Sequence, residues 1–178
     1  LCRELGVDDE NAFEGVTNDY EIDDSAVHMY RDNNKCIHCR RCIAACEKTQ
    51  GIGVIGANNR GFNSYIGSAF DMNLAETACV SCGQCIAVCP TGALQEKTSM
   101  IKETPLAADI TETTCSYCSV GCSLKLESYG DLLIKANPDK DGVVNKGLIC
   151  GKGKWGFDCS VLEGKIEDPL VKEDGRFR

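Results

Sequence analysis

Chemistry in this 178-residue chain is concentrated in its cysteines. One run, Cys79-Val80-Ser81-Cys82-Gly83-Gln84-Cys85-Ile86-Ala87-Val88-Cys89-Pro90, has the spacing C-x2-C-x2-C-x3-C-P, and Cys36, Cys39, Cys42 and Cys46 repeat it. At this spacing thiolates hold cubane [4Fe-4S] clusters. Three thiolates at three-residue intervals wrap a tight loop around one cluster, with backbone N–H groups turned inward toward its negative sulfurs. The fourth cysteine, about one helical turn on, points away and ligates the neighbouring cluster. A lone run would leave ligands unmatched, whereas two satisfy each other. The expected sets are Cys36, Cys39, Cys42 and Cys89 for one cluster, and Cys79, Cys82, Cys85 and Cys46 for the other.

A third set comes next, Cys115-x2-Cys118-x3-Cys122 with Cys150 returning after 27 residues. It suits another cubane, and zinc stays open there, because a distant fourth cysteine also closes zinc ribbons. Elsewhere zinc fits poorly, since its sites pair separated two-cysteine knuckles while these cysteines come in fused runs. The fusion also argues against a thioredoxin-like C-x-x-C. No signal peptide precedes the cysteines, and their short regular spacings are unlike a secreted disulfide framework. Twelve of the fourteen cysteines are thereby used, leaving Cys2 and Cys159 as expected buried thiols. His28 and His38 are left without a ligand role, although His38, beside Cys39, stands where a hydrogen bond or its charge would tune the first cluster.

The elements that position these residues can be read from local pattern. Leu1–Leu5 reads as a short helix before an acidic loop, and Ser25–Arg31 as a strand leading to the first run. Arg40–Lys48 should be a helix with Cys42 and Cys46 on one face, since positions four apart lie over one another. Gly51–Asn73, with five glycines among β-branched and aromatic residues, predicts short strands and turns. Gly83–Val88 matches the first helix, Pro90 stops it, and the chain turns through Leu94 into a last strand. Lys97–Asp109 reads as a linker. Beyond it, Ser123–Ser128 and Leu132–Ala136 form a hairpin through Tyr129-Gly130-Asp131. Because each run supplies a ligand to the other half, the clusters belong to the core, and iron-free protein should be largely unfolded.

Composition sets outer limits. With aromatics at 6%, the chain is not held by a large apolar core and needs metal staples. No stretch approaches the roughly 18 apolar residues of a membrane span. Ten acidic and two basic residues fall in 1–34, giving that segment the whole net charge of −8. An acidic face repels nucleic acid and favours a basic protein partner. Thiolate-bound clusters without an export signal point to a reducing cytoplasm. The start at Leu1 and the end at Arg178 suggest a piece of something larger.

The third motif, Thr114 to Cys122 with Cys150-Gly151-Lys152-Gly153-Lys154-Trp155-Gly156, resembles the N-terminal iron–sulfur domain of molybdopterin oxidoreductases, formate dehydrogenase catalytic subunits above all. The tandem part, with Gly61-Phe62-Asn63 and Cys82-Gly83-Gln84-Cys85, resembles the region preceding that domain in alpha subunits of NAD(P)-linked formate dehydrogenases. The large iron–sulfur subunit of NADH:quinone oxidoreductase is a more distant resemblance, as its pattern lacks two complete runs. The resemblance implies an α+β chain: a 2[4Fe-4S] bacterial-ferredoxin-like domain, then a small β-rich [4Fe-4S] domain of the molybdopterin-oxidoreductase type. Expected divisions are an N-terminal helix and acidic segment at 1–34, the ferredoxin-like domain at 35–97, a linker at 98–110 and the second domain at 111–178.

The implied function is electron relay through three [4Fe-4S] clusters, between a metal-pterin site and a flavin/NAD(P) or ferredoxin partner within a multi-subunit complex. Lys152, two residues past the last ligand, would help electrons across to the pterin; its flanking glycines have the wrong spacing for a phosphate loop. The residues that bind molybdenum or tungsten pterin would lie outside this chain, which alone lacks the catalytic cofactor domains. The alternative is a non-catalytic iron–sulfur subunit of a cytosolic NAD(P)H–ferredoxin oxidoreductase without molybdenum.

Overall fold

The computed structural model describes residues 4–7, 15–97, 108–157, 166 and 168–177. The expected helix at Leu1–Leu5 and the thiols Cys2 and Cys159 lie outside the described residues or at their edge, where Glu4–Gly6 form a turn. Four small sheets frame two halves.

In the first half, strand β1 (Met29–Arg31) pairs antiparallel with β4 (Leu94–Glu96), Tyr30 opposite Gln95, and so closes the ends of the repeat on each other. The strand expected over Ser25–Arg31 is therefore shorter, because only three residues have a partner across from them. Helix α1 (Arg41–Ala44) carries Cys42 of the first run and α2 (Gln84–Ala87) carries Cys85 of the second. Between them β2 (Ile55–Asn58) and β3 (Tyr65–Ser68) form the hairpin that the glycine-rich stretch predicted, turning at Gly61-Phe62-Asn63. The core holds Ala26, Met29, Ile55, Ile66, Leu74 and Leu94 together with Cys42, Cys46 and Cys85.

The helix expected over Arg40–Lys48 departs from regularity after one turn. Ala45–Thr49 is π-helical, with the Gln50 N–H reaching back to the Ala45 carbonyl at 3.1 Å. A π turn inserts a residue and rotates the chain beyond it, as such bulges do at functional positions. Cys42 and Cys46, four residues apart, line different cavities.

The second half is a three-stranded antiparallel sheet in the order β5 (Asp109–Thr114), β6 (Ser123–Tyr129), β7 (Leu132–Pro138). Tyr129 pairs with Leu132 across Gly130-Asp131, the expected hairpin turn, with Gly130 at φ +56°. Strand β5 was not expected, and its first two residues fall in the segment read as linker. All six of its residues are exposed, so it carries no apolar alternation to read. Leu124, Ile134 and Ala136 are buried, and α3 (Gly151–Trp155) packs on β7. A two-residue ribbon, β8 (Lys172–Glu173) with β9 (Arg176–Phe177), lies near the C-terminus.

Candidate metal centres

Each expected cysteine set lines one cavity. Cys36, Cys39, Cys42 and Cys89 open onto the first, with Ile55, Ile66 and Leu94 in its walls. Cys46, Cys79, Cys82 and Cys85 line the second, beside Met29, Ile52 and Leu74. Cys115, Cys118, Cys122 and Cys150 line the third, together with Lys152. The fourth cysteine of each run crosses to the other run's cavity: Cys46 joins the second, and Cys89 the first.

The two loops are built alike. His38 and Ser81 occupy the left-handed region at φ +55° and +51°, and the next non-cysteine positions, Arg40 and Gly83, at +61° and +74°. For a side chain larger than glycine this conformation costs about 1 kcal/mol or more. The return is the inward N–H orientation: His38 N–H faces the Cys36 sulfur, Ile43 N–H that of Cys42, and Gln84 N–H that of Cys82. His38 thus acts through its backbone, while its side chain is exposed.

Electrostatics separate the thiols. Burial pushes Cys42 up to about 11 and Cys85 up to about 12, with neighbouring cysteines adding to both. These groups are neutral thiols unless a metal cation displaces the proton, so metal loading must release protons here. Burial also acts on Cys89, but the N–H groups of Thr91, Leu94 and Ala93 and the Thr91 hydroxyl outweigh it and hold the thiol below its usual range. Among the neighbours acting on Cys85 is Cys42, although the two thiols line different cavities. The third set differs: Cys118 and Cys150 are exposed, Cys115 and Cys122 half-buried.

Four soft sulfur donors per cavity suit iron–sulfur clusters. Among the described residues, no three His, Cys, Asp or Glu side chains are placed to share a single metal ion.

Residues 27–93 match the 4Fe-4S dicluster domain, and residues 108–159 match the molybdopterin oxidoreductase Fe4S4 domain. The chain joins these two iron–sulfur electron-transfer domains. Among relatives, it is 30% identical over 82% of its length to NADH-quinone oxidoreductase subunit 3 of Thermus thermophilus, covering 18% of that protein. It is 47% identical over 54% of its length to NADP-reducing hydrogenase subunit HndD of Solidesulfovibrio fructosivorans, covering 16% of it. A protein named as a formate dehydrogenase in Staphylococcus haemolyticus (strain JCSC1435) is 30% identical over 95% of the chain, which covers 21% of it. The chain thus spans about a fifth or less of these relatives.

The dicluster and Fe4S4 domains meet through residues that motif reading passed over. Trp155 donates its Nε1–H to the carbonyl of Ser81 in the dicluster loop. His28 stacks on the indole with ring centroids 5.1 Å apart and planes 8° from parallel. Burial, with Lys97 nearby, lowers His28 below a histidine's usual value, which favours a neutral ring. Lys154 is buried, 3.3 Å from Glu96 Oε2, and donates to the Ala136 carbonyl at 3.0 Å and to Asn137 Oδ1 at 3.2 Å. Lys135 reaches the other Glu96 oxygen at 3.0 Å. Burial lowers Lys154 below the usual lysine value, and Glu96 opposes that shift. Glycine stands at this contact where room is short: a Cβ on Gly151 would stand 3.0 Å from the Ser81 carbonyl oxygen.

Proposed function

We propose that the chain holds three [4Fe-4S] clusters and relays electrons as part of a formate-dehydrogenase-like molybdopterin oxidoreductase. The single observation that carries this is the partition of twelve cysteines into three four-cysteine cavities, with Cys46 and Cys89 exchanged between the repeats. The ligands are Cys36, Cys39, Cys42 and Cys89 for the first cluster, Cys79, Cys82, Cys85 and Cys46 for the second, and Cys115, Cys118, Cys122 and Cys150 for the third. When bound, each cluster supplies one-electron chemistry. The chain's own residues keep water from the inner thiolates, direct N–H groups at the sulfurs and fix the spacing between sets.

Lys152 is exposed and lines the third cavity, which supports its role as the step toward a pterin held outside these residues. The electrons pass between that metal-pterin site and a flavin/NAD(P) or ferredoxin partner in a multi-subunit complex. The divisions 1–34, 35–97, 98–110 and 111–178 and a cytoplasmic location complete the proposal. Among the described residues no helix is long and apolar enough to cross a membrane.

A second reading, a non-catalytic iron–sulfur subunit of an NAD(P)H-linked complex without molybdenum, is favoured by the likeness to the NADH-quinone oxidoreductase protein of Thermus thermophilus and to NADPH-Fe(3+) oxidoreductase subunit alpha of Geobacter sulfurreducens. Metal analysis tests both. The 178-residue chain, loaded anaerobically, should hold about twelve irons and no zinc. Four or fewer irons with stoichiometric zinc would overturn the relay. Molybdenum or tungsten in the complex purified from its source favours the first reading, and its absence the second.

A further inference from the structure

The two dicluster loops are equivalent in backbone and unequal in surroundings. His38 and Arg40 of the first loop are exposed, whereas the matching residues of the second, Ser81 and Gly83, face the Fe4S4 domain. A Cβ on Gly83 would lie 3.2 Å from the Trp155 ring, so glycine serves there both for the positive φ and for room. Two side-chain hydrogen bonds cross this contact in opposite senses. Trp155 Nε1–H donates to the Ser81 carbonyl, between Cys79 and Cys82. Gln84 Nε2–H, between Cys82 and Cys85, donates to the Ile149 carbonyl next to Cys150 at 3.2 Å. Gln84 and Trp155 are both buried. Val80 and Ser81 also line the third cavity, while no residue of the first loop does.

We propose that Trp155 and Gln84 are positioning residues that lock the second and third cysteine sets together, so that the third cluster exchanges electrons with the second and not with the first. This rests on the three-cluster reading. The step moves one electron from one cluster, which is oxidised, to the other, which is reduced, with no bond made or broken and no proton transferred. The hydrogen bonds from Trp155 to the Ser81 carbonyl and from Gln84 to the Ile149 carbonyl would set the separation across which it moves.

The test uses the full chain loaded anaerobically with iron and sulfide and reduced with dithionite. Iron is counted first: a wild-type chain without three clusters sinks the underlying reading and is distinguishable from failure of the joint. Trp155→Phe keeps an aromatic ring against His28 and removes only the donor; Gln84→Met keeps length and removes the other. Both should retain wild-type iron. Their fully reduced electron paramagnetic resonance spectra should lose much of the magnetic broadening between the second and third clusters. The reference is Cys118→Ala, which removes the third cluster and with it all of that broadening. Transfer between the two clusters, followed by rapid freezing after mixing with less than one equivalent of dithionite, should slow severalfold. Unchanged broadening and rate in both variants, at full iron content, would overturn the proposal.

Discussion

In the dicluster domain Cys42, Cys46 and Cys85 are buried among Met29, Ile55, Ile66, Leu74 and Leu94, so the sulfur donors are part of the apolar core. In the Fe4S4 domain Cys118 and Cys150 are exposed, and Leu124, Ile134 and Ala136 are buried on a sheet whose strands pair over six or seven residues. Among the described residues the first domain has the two-stranded ribbons β1–β4 and β2–β3 and a bridge from Asp23 to Arg31, and isolated ribbons of that kind are marginal in water. One domain is built around its metal; the other carries its metal at one edge of a hydrogen-bonded scaffold. The same thiolate chemistry therefore contributes to folding in very different measure.

Removal of iron should have the largest effect and bears directly on that difference. With iron stripped anaerobically by a chelator, Cys42 and Cys85 return to neutral buried thiols around an emptied cavity, and their domain loses what its core was packed on. Hydrogen exchange should show near-complete loss of amide protection at β1 and β4, while amides of β6 and β7 stay protected. Equal loss in both domains would erase the distinction. So would equal retention.

A middle-sized effect should come from the contact between the domains. Glu96, on β4, faces both Lys154 and Lys135 across the junction. Glu96→Gln leaves the buried Lys154 charge with only neutral acceptors at Ala136 and Asn137, a loss of about 3 kcal/mol. Lys154→Met should cost less, because Glu96 keeps Lys135, which is closer to solvent. Denaturant midpoints for the two single variants and the double variant measure the coupling. Additive losses would mean that the pair does not join the domains.

The grouping of the cysteines around three cavities was legible because spacing within a short loop is a local constraint. The β6–β7 hairpin was legible for a similar reason, since Gly130-Asp131 sits between two apolar strands. Less could be read where the cause is not local. Strand β5 is a fully exposed edge whose residues owe their extension to hydrogen bonds with β6. The π turn over Ala45–Thr49 has no side-chain signature. The junction was least visible of all, because Trp155 with Ser81 and Lys154 with Glu96 join residues 74 and 58 apart in sequence. Gly83 and Gly151 stand at it, where a Cβ would come 3.2 Å from the Trp155 ring and 3.0 Å from the Ser81 carbonyl oxygen.

The smallest expected effect tests whether the Fe4S4 domain is positioned by neutral hydrogen bonds where the dicluster domain relies on metal. Asn145 is buried; its Oδ1 accepts from the Ser123 N–H at 2.8 Å, and its Nδ2 donates to the Ser123 and Leu148 carbonyls at 3.1 and 2.8 Å. Ser123 follows Cys122, and Leu148 lies two residues before Cys150, so one amide spans both ends of the third set. Asn145→Ala leaves these backbone groups without that partner, which costs about 2 kcal/mol. The loss should fall on the Fe4S4 domain alone. Its cluster should bleach sooner under a chelator, while signals from the dicluster domain keep wild-type lifetimes. If all three clusters bleach sooner together, the third set is held from across the junction and not from within its own loop.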